Sequence, residues 1–149
     1  MLWLFAILGC IIQVSVIRSV AIFQTTPNVA LILVIYIALF YGKKAMWVGF
    51  FTGLFIDLYS SSLGCNALAG TLVGGGIGSF ANRVYREDPI LWIITLFGSS
   101  LVYDIIIFTV QKEMSLFFFG RYMITGALYT TVVGLIIFYV SRKMIIKRS

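Results

Sequence analysis

Charged and turn-forming residues cut the chain into six apolar stretches, at about residues 2–17, 28–41, 45–59, 63–81, 90–110 and 116–140. A helix needs ~20 mostly apolar residues to cross a bilayer, and four of the six approach or reach that length. The second and third are short. Either their ends extend into the neighbouring loops or they meet a thin bilayer. Together the six consume nearly the whole sequence and leave no segment for a water-soluble domain. The pattern predicts an all-α integral membrane protein, a single bundle of six transmembrane helices over residues 1–149.

Composition agrees with the pattern. Hydrophobic residues make up 61% of the 149 positions and charged residues 11%, against about a quarter charged in an ordinary soluble domain. A water-soluble fold of this size leaves too much surface exposed to hide so much apolar area. Ser19-Val20-Ala21 resembles a signal-peptide cleavage site, but no Lys or Arg precedes the first stretch and Arg18 falls at its end. Those flanks predict that the first helix stays.

Eleven Lys and Arg set the orientation. Lys43 and Lys44 follow the second stretch, Arg83 and Arg86 the fourth, and Arg142, Lys143, Lys147 and Arg148 the sixth. With six crossings these eight share one side, and the other side keeps Arg18, Lys112 and Arg121. Short basic loops stay cytoplasmic, so both termini are expected inside. The net charge of +6 then reflects topology and attraction to anionic lipid headgroups and needs no nucleic acid.

Four charges fall within the apolar stretches or at their ends. Counting 1.5 Å per residue from the cytoplasmic ends puts Asp57 ~18 Å and Asp104 ~21 Å up, with Arg121 ~8 Å below the outer surface. Arg18 closes the outer end of the first stretch. A charge in a bilayer is costly, and such residues usually face the bundle and pair. Asp57 and Asp104 are therefore expected to point inward, with Arg18 and Arg121 as candidate partners. The alternative is that each snorkels to the outer headgroups alone. Gln13 is a further polar residue at depth, expected to bond between helices.

Glycines carry a second signal. Gly70, Gly74 and Gly78 recur every fourth residue, and Gly49 and Gly53 repeat the spacing one stretch earlier. Small residues at i and i+4 open a groove for a second helix backbone. With only Ser60-Ser61-Ser62 between them, the third and fourth stretches should form a tight hairpin. The same groove could admit a substrate or a partner helix.

Sites for chemistry are sparse. The chain has no His, and its two cysteines, Cys10 and Cys65, sit at depths ~10 Å apart, too far for a disulfide. No metal or other cofactor is expected. One enzymatic reading remains, an intramembrane aspartyl protease using Asp57 and Asp104 as two carboxylates that share a proton. Tyr103-Asp104 matches half of the presenilin-like motif, but Phe55-Ile56-Asp57 lacks the Gly-x-Gly-Asp setting of the other half.

The segment GFFTGLFIDLYSSSLGCNAL resembles the signature of the rod-shape-determining MreD family. That family has a Gly-rich span ending in an aspartate, a short Ser/Gly turn, then Leu-Gly and a small-residue helix. The corresponding positions are Gly49, Gly53, Asp57, Leu63, Gly64 and Ala67. Pro27-Asn28 before the second stretch and Tyr41-Gly42-Lys43 after it also fit. The resemblance implies a non-enzymatic protein of the bacterial inner membrane that serves the cell-elongation machinery. Its partners would be the bitopic protein MreC, the glycan polymerase RodA, a class B penicillin-binding protein and MreB filaments. It also implies the six-helix fold of the substrate-binding subunits of energy-coupling-factor vitamin transporters. A small-molecule-binding subunit is therefore the second functional hypothesis, since fold alone does not separate the two.

Overall fold

The computed structural model describes residues 7, 11–13, 15, 28–60, 64–81, 88–111 and 116–146. Every regular element among them is helical: α1 (Val29–Tyr41), α2 (Ala45–Ser60), α3 (Cys65–Phe80), α4 (Pro89–Gln111) and α5 (Leu116–Ile146). Ile7, residues 11–13 and Ser15 are helical as well. Three stretches among the described residues, Val29–Ser60, Pro89–Val110 and Phe119–Val140, are long and apolar enough to cross a membrane.

The first of those stretches is folded back on itself. Ala30 and Leu31 share a cleft with Thr52, Gly53 and Ile56, whereas a continuous helix would hold Ala30 and Ile56 ~39 Å apart. Reversal occurs at Gly42, which has a φ of 63° and closes α1 with an N–H bond to the Ala38 carbonyl. Side chains with a Cβ rarely adopt that left-handed conformation. A single 3-10 turn, Gly42–Lys44, then leads into α2. Lys43 and Lys44 stand exposed on it.

Helix α3 runs antiparallel to α2 along a glycine seam. Gly49 meets Gly70, Gly53 meets Asn66 and Ala67, Ala45 meets Gly74, and Gly42 meets Gly78. A Cβ on Gly70 would lie 2.5 Å from the Gly49 carbonyl oxygen, and one on Gly74 would lie 2.7 Å from that of Ala45. The backbones touch directly, as small-residue spacing allows. Gly75 contacts the Met46 side chain, and Gly76 faces open space.

Helices α4 and α5 form a second antiparallel pair. The Trp92 ring lies 4.6 Å from that of Phe138, Gly134 abuts Leu96, and Phe108 stacks on Phe119 at 3.8 Å. Pro89 opens α4 at the first helical position, where its missing N–H costs nothing. Helix α5 continues to Ile146, six residues beyond the end of the sixth apolar stretch.

Helix α1 joins the two hairpins. Its Leu31, Ile35 and Leu39 pack with Ala69 and Val73 of α3 and with Trp92 and Leu96 of α4. Large apolar side chains are equally plentiful on the outside, among them Leu58 at 77% exposure and Phe117 at 83%. Water-soluble monomers rarely show so much contiguous apolar surface. Helices with lipid around them do.

Candidate functional site

The buried polar residues that bond between helices, among the described residues, collect at one end, where α1 and α3 both begin. Gly64, at a φ of 77°, turns the chain so that the first amides of α3 face α2. There the Asp57 carboxylate receives them. Its Oδ1 accepts from the Asn66 backbone N–H (3.1 Å) and from Asn66 Nδ2 (2.8 Å), and its Oδ2 accepts from the Ala67 N–H (2.9 Å). Leu68 N–H bonds back to the Gly64 carbonyl. A helix start leaves four amides without internal partners and carries about half a positive charge. Asp57, only 6% exposed, is thus stabilised by the helix it caps.

A second helix start lies alongside. Gln13 Oε1 accepts from the N–H groups of Val29 (2.6 Å) and Ala30 (3.2 Å), and Asn28 Oδ1 accepts from Leu31 N–H (3.0 Å). The Asn28 N–H in turn donates to Thr130 Oγ1 of α5 at 3.2 Å. Tyr103 of α4 donates its hydroxyl to Asn66 Oδ1 at 2.7 Å. Residues from the first apolar stretch, α2, α4 and α5 therefore converge on two helix N-termini. The cleft between them, lined by Leu31, Thr52, Ile56 and Tyr103 among others, has a volume of ≈ 10 Å³, about one water molecule. Tyr103→Phe should leave one Asn66 acceptor without its donor and lower stability by about 1 kcal/mol. Unfolding of the detergent-solubilised variant would measure it.

Of the four charges expected to pair, three lie among the described residues. Arg18 lies outside the described residues. Asp104 is half-buried and Arg121 exposed, and among the described residues no ion pair joins them. Arg121 points away from the bundle, where its long stem can carry the charge toward water. Among the described residues Asp57 is compensated by the amides that open α3. Gln13 does bond across helices, though to backbone N–H groups.

The remaining predicted positions fall as follows. Gly49, Gly53, Gly70, Gly74 and Gly78 all lie in the α2–α3 seam, and Cys65 is buried with a free thiol. Arg142 and Lys143 lie on the last turns of α5. Arg83, Arg86, Lys147, Arg148 and Cys10 lie outside the described residues. Thr130 carried no sequence signal beyond being polar inside the sixth apolar stretch, whereas Asn28 stands directly before the second, where asparagine is a favoured helix cap; their part in capping α1 was not foreseen.

No known family, curated protein or solved structure matches the chain. Fold and site define a class: an all-helical protein with stretches able to cross a membrane, tied together by two side-chain-capped helix N-termini.

Proposed function

We propose that the chain is a multi-pass protein of the bacterial inner membrane, a six-helix bundle with both termini cytoplasmic, acting as a non-enzymatic scaffold of the cell-elongation machinery. One observation carries this reading. The residues that resemble the MreD signature, Gly49, Gly53, Asp57, Gly64 and Ala67, form a single structural unit. The glycines bring α2 and α3 into backbone contact, Gly64 turns the chain, and Asp57 receives the Ala67 amide. Such a unit presents a rigid surface to a partner's membrane helix, such as that of MreC, and to RodA-like and penicillin-binding neighbours. The exposed Lys43 and Lys44 suit anionic lipid or an MreB filament.

The test is affinity capture of the tagged protein from mildly solubilised native membranes, followed by mass spectrometry. Co-purification of a bitopic coiled-coil protein with cell-wall polymerases is the expected result. Recovery of a pair of ATPases with a second membrane subunit would replace the scaffold by a transporter.

A further inference from the structure

We infer that this protein carries a step in hydrophobic thickness, and that the exposed face of α2 binds lipids with shorter acyl chains than the α4–α5 face does. The inference rests on the membrane reading above and goes beyond it.

Length comes first. Helix α2 has 16 residues, which span ~24 Å, whereas the membrane-competent part of α4, Pro89–Val110, has 22 and spans ~33 Å. A bilayer's hydrocarbon core is ~30 Å thick. Tilting shortens a helix's projection along the membrane normal and never lengthens it, so α4 can adapt by tilt and α2 cannot. Extension is closed at one end as well, because the Gly42–Lys44 turn immediately precedes α2.

The step lies mostly at one end. The Asp57–Asn66–Tyr103 hydrogen bonds place Asp57 and Tyr103 at about the same level. From there, α4 continues seven residues to Val110, ~10 Å, whereas α2 is described for three to Ser60 and α3 already opens at Cys65, so four residues at most remain for the turn of that hairpin. In the other direction the two run nearly equal distances, to Ala45 and Pro89.

The surface of α2 identifies the occupant. Trp47, Phe50, Phe51, Leu54, Phe55 and Leu58 are all exposed, at spacings of three and four that make one continuous apolar stripe. Exposed Lys43 and Lys44 border it at one end and exposed Tyr59 at the other. Cations and tyrosine at the two ends of an apolar stripe are the arrangement of a lipid-facing helix with interfacial anchors. The lysines suit an anionic headgroup, and only about 24 Å separates them from the far end of the stripe.

The experiment uses the full chain in phosphatidylcholine vesicles, with a brominated eighteen-carbon lipid competing against lipids of fourteen to twenty-two carbons. Trp92 is 2% exposed and sheltered from the quencher. The quenching difference between the unmodified protein and Trp47→Phe therefore isolates Trp47 at the α2 face. Ile136→Trp in a background that carries both Trp3→Phe and Trp47→Phe reports on α5, where Ile136 is 59% exposed. At the α2 face, fourteen- to sixteen-carbon lipids should bind about threefold more tightly than the longest ones, while the α5 face should prefer eighteen carbons or more. A common optimum at both faces would overturn the step. A Trp47 that brominated lipid does not quench, in protein that has entered the vesicles, would overturn lipid as the occupant. Failure to enter vesicles at all would defeat the membrane reading itself, and flotation before quenching tells these outcomes apart.

Discussion

Asp57→Leu should cost about 3 kcal/mol or more, because it strands three buried donors at ~1 kcal/mol or above each. The Asn66 and Ala67 amides would lose their acceptor, and Asn66 Nδ2 would lose one of its contacts. Leucine would also remove the negative charge that faces the start of α3. Asp57→Asn keeps one acceptor oxygen for those amides and should cost nearer 1 kcal/mol. Denaturant titration in mixed micelles, together with the folded yield from membranes, would rank the three proteins. An abundant, normally stable Asp57→Leu protein would show that the cap does not hold the hairpin.

Gly70→Ala should be comparably damaging, although alanine is the better helix former by ~1 kcal/mol. The added methyl would have to fit 2.5 Å from the Gly49 carbonyl oxygen. Backbone on both sides leaves no flexible side chain to yield, so α2 and α3 must separate along the seam. Overpacking of this kind costs about 3 kcal/mol. Gly76→Ala is the control, since nothing lies within 4 Å of its added methyl. It should be neutral or slightly stabilising. Equal loss at both positions would mean that the damage comes from some general intolerance of α3 and not from the seam.

The contrast between those two glycines shows what could be read from the sequence. Four-residue spacing picked out Gly49, Gly53, Gly70, Gly74 and Gly78, because a groove of hydrogen atoms is a periodic feature and periodicity is visible in one dimension. Helix boundaries were legible for the same reason: α2 was expected over residues 45–59 and occupies Ala45–Ser60. The role of Asp57 in tying the hairpin was also within reach, but its chemistry was not. Pairing rules for charges at depth look for a guanidinium, and they say nothing of backbone amides such as those of Asn66 and Ala67, which every residue carries and no sequence pattern marks. Only the left-handed turn at Gly64 aims them at the carboxylate. The cap of α1 was harder still, as its parts come from Gln13, Asn28 and Thr130, far apart in the chain and alike only in polarity.

That separation has a consequence for synthesis, in which the chain is delivered from its N-terminus. The α2–α3 hairpin is complete within a few dozen residues: the seam, the turn and the Asp57 cap all lie between Gly42 and Phe80. It can close as soon as it leaves the ribosome. The Asn28 amide must wait for Thr130, 102 residues later. Gln13 and Asn28 can cap the first amides of α1 at once, but a donor without a partner is costly in lipid, so the Asn28 N–H keeps that cost until α5 arrives. The last long helix is thus the latch of the bundle, and a nascent chain ending before it would hold a finished hairpin beside an open seat.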